Sequence, residues 1–136
     1  MKTFLIILLS VLGFAFVTTK EPLKVDAISS ETMINIKLDE GKKWPTDDAT
    51  TSHIQTMITL CEQALSQKTY EVTALNDALT KEINLLNRNT KMTGDARSQL
   101  HNYQLGIRKR IQAISDNRGS VEWLLHELKR YADYFD

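Results

Sequence analysis

The chain is predicted to be all-α: an antiparallel four-helix bundle preceded by an extended arm and an N-terminal signal helix. Three observations predict this. The 136 residues hold only five Gly and two Pro, so long stretches are free of helix breakers. Downstream of residue 45, four segments repeat apolar residues at the i, i+3, i+4, i+7 spacing of an amphipathic helix, separated by short turns. Ahead of them, Phe4 to Val17 (FLIILLSVLGFAFV) is an apolar run broken only by Ser10 and Gly13. The reading divides the chain into residues 1–20, a signal peptide or anchor; 21–45, a tether and extended arm; and 46–136, the bundle.

The apolar run follows a short positive stretch at Lys2 and would rise about 21 Å as a helix, short of the roughly 30 Å hydrocarbon core of a bilayer. That length fits the apolar region of a secretory signal. Thr18-Thr19-Lys20 is not a small-x-small cleavage motif, so an uncleaved inner-membrane anchor over Thr3 to Thr19 stands as the alternative. No Cys follows the run, which argues against lipoprotein processing. Residues 21–31 read as a tether. In Thr32 to Asp39, Ile34, Ile36 and Leu38 alternate with polar residues at a strand-like period of two, yet no second strand is evident. This segment is expected to lie extended on the bundle. Glu40-Gly41-Lys42 reads as a turn, and Pro45 keeps Trp44 out of helical geometry.

Helix A is expected from Thr46 or Asp47, with Ile54, Met57, Ile58, Cys61, Ala64 and Leu65 on its apolar stripe. Helix B runs from Tyr70 to Lys91, burying Val72, Leu75, Leu79, Ile83, Leu86 and Leu85. Gly94 is expected to cap its end in a left-handed conformation. Helix C spans Asp95 to Ser115, with Ala96, Leu100, Tyr103, Ile107, Ile111 and Ile114 inward. Asp116-Asn117-Arg118-Gly119 is a turn, Ser120 caps the last helix, and Val121, Leu124, Leu125, Leu128, Tyr131, Ala132 and Phe135 form its buried side. No helix hides its stripe alone, and four with short connections pack as a bundle.

Charge narrows the function classes. Without residues 1–20, which carry Lys2 and Lys20 and no acid, 15 basic and 17 acidic side chains remain, a formal charge of −2. Such a balance gives no general electrostatic reason to bind nucleic acid or an anionic membrane; membrane contact is expected only through an uncleaved N-terminal segment. Cys61 is the single cysteine, so no internal disulfide forms. With His53, His101 and His126 it makes up the pool for zinc, but no two of these share a helix face at i, i+4. His126-Glu127 begins like a zinc-protease motif, and Arg130 stands where the second His belongs. His101 neighbours Arg97 and Arg108, which disfavour a cation there. Neither a nucleophile elbow nor a Gly-rich phosphate loop is present. Arg108-Lys109-Arg110 points in different directions around its helix and reads as a solvated helix end rather than a nucleic-acid patch. No enzyme and no cofactor is expected.

One pattern is left over. Trp123, Glu127, Arg130 and Tyr134 follow i, i+4, i+7, i+11 on the last helix, roughly opposite its apolar side. Exposed aromatics flanking a charged pair have the composition of an interaction surface for a protein partner or a homodimer. The competing reading is that they cover loops or the 32–44 arm.

Two segments, Leu38-Asp39-Glu40-Gly41-Lys42-Lys43-Trp44 and Thr90-Lys91-Met92-Thr93-Gly94-Asp95-Ala96-Arg97-Ser98-Gln99-Leu100-His101, carry a resemblance. Together they resemble a group of uncharacterised small exported helical proteins of bacterial envelopes, with a Gly-x-x-Trp arm and a Met-x-Gly…Gln-Leu-His segment. Many members of that group have Cys at the position of Thr90 and His at that of Arg97, which with Met92 and His101 would make a soft-ligand set suited to copper. Here only Met92 and His101 match, so the resemblance implies a metal role for the group more than for this chain. The leading expectation is a non-enzymatic binding protein of the cell envelope, periplasmic or extracellular. A metal-handling protein using Met92 and His101 is the alternative.

Overall fold

The computed structural model describes residues 34–136, so the expectations for the signal segment 1–20 and the tether lie outside the described residues. The described part is helical: α1 (Asp48–Ser66), α2 (Val72–Asn89), α3 (Gly94–Gln112) and α4 (Arg118–Lys129), followed by a single turn, α5 (Tyr131–Tyr134). α1 packs against α2 and α4, and α3 against the same two, which closes a ring around one core. The expected stripes meet there. Met57 and Cys61 of α1, Leu79 and Leu86 of α2, Leu100, Tyr103 and Ile107 of α3, and Val121, Leu124 and Leu128 of α4 are all fully buried. Val72, Leu65, Leu85 and Leu125 are only partly covered, and Ala132 is exposed.

The helix ends depart from expectation where distant groups claim them. The first helix begins at Asp48 rather than Thr46 or Asp47, and Asp47 caps it, its carboxylate accepting from the Thr50 N–H at 2.7 Å. The same carboxylate accepts from the Thr90 hydroxyl at 3.1 Å and the Lys91 N–H at 2.7 Å. Those bonds pull Thr90 and Lys91 out of α2, which ends at Asn89 rather than Lys91. At its other end α2 starts two residues later than predicted, and the Tyr70 hydroxyl donates to the Ser115 carbonyl instead. Gly94 has the expected positive φ of 62°, but it opens α3 rather than closing α2. The last helix begins with Asn117 as its cap, accepting from the Gly119 N–H. Ser120, the expected cap, accepts from the Ser115 N–H and so braces the preceding turn. Near Arg130 the predicted single helix divides into α4 and α5.

The arm lies extended along the bundle, as its alternation predicts, with Ile34 and Ile36 packed on the core and Leu38 left exposed. The Lys37 N–H donates to the Gln99 side chain of α3 at 3.0 Å. Asp39 and Lys42 then pair through two backbone hydrogen bonds around Glu40 (φ 51°) and Gly41 (φ 85°), a tight two-residue reversal. Past it the Trp44 indole donates back to the Lys37 carbonyl. The Trp44 backbone joins the C-terminal residues: its N–H donates to Tyr134 O at 2.8 Å, and its carbonyl accepts from Asp136 N–H at 3.0 Å. Among the described residues no strand extends beyond such isolated pairs.

Candidate functional site

The four residues singled out on the last helix do come together, though not as one exposed stripe. Trp123 is 47% exposed, whereas Glu127 is only 6% exposed, which corrects the expectation of a solvent-facing charged pair. The reason lies in α3. The Tyr103 hydroxyl donates to the Glu127 carbonyl at 3.0 Å, drawing this turn of α4 against α3. The Glu127 carboxylate lies 3.7 Å from Arg130, which also faces Asp133 at 3.7 Å. Arg130 sits over the Tyr134 ring, 5.5 Å from its centroid, and hydrogen-bonds the Tyr134 hydroxyl. Tyr134 is half-covered and its carbonyl accepts from Trp44, so it also serves the arm, as the competing reading expected.

Arg110 completes the cluster, and reading the sequence alone dismissed it. Its guanidinium carbon lies 4.6 Å above the Trp123 ring centroid, close enough for a cation–π contact. The His126 ring lies 6.5 Å from that of Trp123. Burial pulls the Arg110 pKa down from its ordinary value, and the negative charge of Glu127 works against that shift. Arg110 Nε is buried without a hydrogen-bond partner among the described residues. The signal for Arg110 was present in the spacing: it stands seven residues after Tyr103 and so shares the side of α3 that meets α4. Beneath this face, Tyr103, Tyr131 and Phe135 form an aromatic cluster with ring centroids 4.9 to 6.1 Å apart. Burial pushes the Tyr103 phenol well above its ordinary pKa, with the nearby Glu127 charge adding to the shift.

The candidate metal residues have other engagements. Met92 Sδ accepts from the Thr46 hydroxyl at 3.5 Å and lines a crevice of about 220 Å³ with Pro45, Asp47 and Thr93. Thr46 in turn bonds the Tyr131 hydroxyl. His101 is exposed on α3 and is not among the residues lining that crevice. The two positions at which the resemblance implies Cys and His carry structural hydrogen bonds: Thr90 donates to Asp47, and Arg97 donates to the Asn87 carbonyl and side chain. His53 is held between Glu82 at 2.8 Å and Asn89 at 3.0 Å. Among the described residues no three His, Cys, Asp or Glu side chains are grouped to hold a metal ion.

A broad depression of about 660 Å³ runs along the outside of α1, far from this chemistry in kind. Asp48 is its one ionisable group, and the Thr56 and Thr59 hydroxyls there donate to the carbonyls of Ser52 and Gln55. The strongest convergence of aromatic and charged groups is therefore Trp123 with Arg110, backed by Glu127, Arg130 and Tyr134. Comparison with family models, with curated proteins and with solved structures finds nothing that matches the chain.

Proposed function

We propose that this chain is a non-enzymatic, exported binding protein of the cell envelope, acting through the face formed by Trp123 and its neighbours. In this reading its four helices run antiparallel, up-down-up-down, behind a signal peptide that directs export. The short apolar run from Phe4 to Val17 supports export, and the ring of helix contacts supports the bundle order.

The observation that carries the binding role is the half-exposed indole of Trp123 under the Arg110 guanidinium. Trp and Arg are among the residues most enriched where partners dock. Behind that face Glu127 pairs with Arg130 at 3.7 Å. The test is Trp123→Ala in the full chain. Helical content should stay at the wild-type level by circular dichroism, while self-association in ultracentrifugation or partner capture from the native envelope fraction is lost. Association equal to wild type in both assays removes the reading.

A further inference from the structure

We propose, building on that docking face, that its partner is an acidic peptide segment whose carboxylate pairs with Arg110 while the adjoining chain covers Trp123. Charge at the face is unequally matched. Glu127, the buried acid, lies against Arg130, which also faces Asp133. Arg110 has no carboxylate within ion-pairing distance among the described residues, and neither do Arg108 and Lys109 beside it. Arg110 thus lies over the largest exposed aromatic of the described residues with no carboxylate in ion-pairing distance, while Lys109 and Arg108 turn away from it around α3.

Arg110 suits a carboxylate in particular. Stacking on the indole covers the face of a guanidinium and leaves its edge N–H groups in the plane where a carboxylate is bound by two bonds. Its Nε is buried beneath the face, so a carboxylate would be bound through the two terminal nitrogens, Nη1 and Nη2. One guanidinium fork matches a single carboxylate. A nucleic acid needs a longer track of phosphate contacts. An anionic bilayer is held by clusters of Lys and Arg rather than by one guanidinium beside an indole, which disfavours a lipid surface.

The experiment uses the full chain and a fluorescein-labelled peptide of alternating Glu and Gly, read by fluorescence anisotropy. Its Gln-Gly counterpart and phosphatidylglycerol vesicles serve as the other arms. The Glu peptide should bind and the Gln peptide should not, with affinity falling steeply as salt rises from about 0.05 to about 0.5 M. Arg110→Gln should weaken binding about tenfold or more, and Arg110→Lys should lie between, since it keeps charge and loses the planar fork. Circular dichroism checks that both variants keep wild-type helicity. Absence of Glu-peptide binding, equal binding of the Gln peptide, indifference to Arg110→Gln, or Arg110-dependent binding to the vesicles in preference to the peptide each overturns the proposal. If the peptide fails while Trp123→Ala still abolishes association, only the acidic partner is lost. If Trp123→Ala changes nothing, the docking face falls as well.

Discussion

Ile34 of the arm occupies the space that a side chain at Gly106 would need: its Cγ1 is 2.3 Å from where a Cβ at 106 would sit, and its Cβ is 3.4 Å away. Glycine at this point of α3 lets the arm lie flush on the helix. Gly106→Ala should favour helix formation by about 1 kcal/mol and cost more than that by displacing Ile34. The expected net loss is about 1 kcal/mol in urea unfolding, with faster hydrogen exchange at the Lys37 amide, which the arm holds against Gln99. Wild-type protection at Lys37 in that variant would show that the arm does not depend on the gap.

Tyr103 joins α3 to α4 through a fully buried hydroxyl that donates to the Glu127 carbonyl. Tyr103→Phe keeps the ring in its aromatic cluster and strips only the hydroxyl, which the Glu127 and Leu128 carbonyls share. Stability should fall by about 1 kcal/mol, with the loss confined to α4 in residue-resolved exchange. A uniform change across all four helices would argue against this local role.

Asp47 gives the fold a defined acid limit. Burial raises its pKa, but the backbone N–H groups of Thr50 and Lys91, with the Thr90 hydroxyl, outweigh that and bring it down to about 2. A carboxyl whose folded pKa lies below its ordinary value of 3.8 contributes stability that is complete above that value. The contribution is lost as pH falls from there towards about 2. Discounted for solvent screening, it amounts to about 1 kcal/mol. Asp47→Asn should flatten that part of the stability profile measured by urea unfolding between pH 2 and pH 5; an unchanged slope would contradict the assignment.

Cys61 should be chemically silent in the folded protein. It is fully buried, and burial, with the Glu62 charge adding, pushes its thiol up to about 12. At neutral pH an aromatic disulfide reagent should label it at least about a thousandfold more slowly in buffer than in denaturant. Rapid labelling of the native chain would show that the α1 side of the core opens readily.

Burial was far more legible than boundaries. Leu75, Leu79, Ile83 and Leu86 announce their helix face because the 3.6-residue period is itself the record of one side facing a core. The end of that helix was not readable, because Thr90 and Lys91 leave it for a carboxylate more than forty positions away. The site divides in the same way. Trp123, Arg130 and Tyr134 could be found from spacing along one helix. The burial of Glu127 and the arrival of Arg110 depend on how the neighbouring helix is seated, which a single-helix pattern does not contain.

The backbone pairing of Trp44 with Tyr134 and Asp136 also bears on the order in which the molecule assembles. It closes a circuit of roughly ninety residues, and the entropy of bringing such distant points together is regained only once the intervening helices have formed. The junction should therefore form after the helices it spans, with the Trp44 and Asp136 amides gaining exchange protection later in refolding than those of α1 to α4.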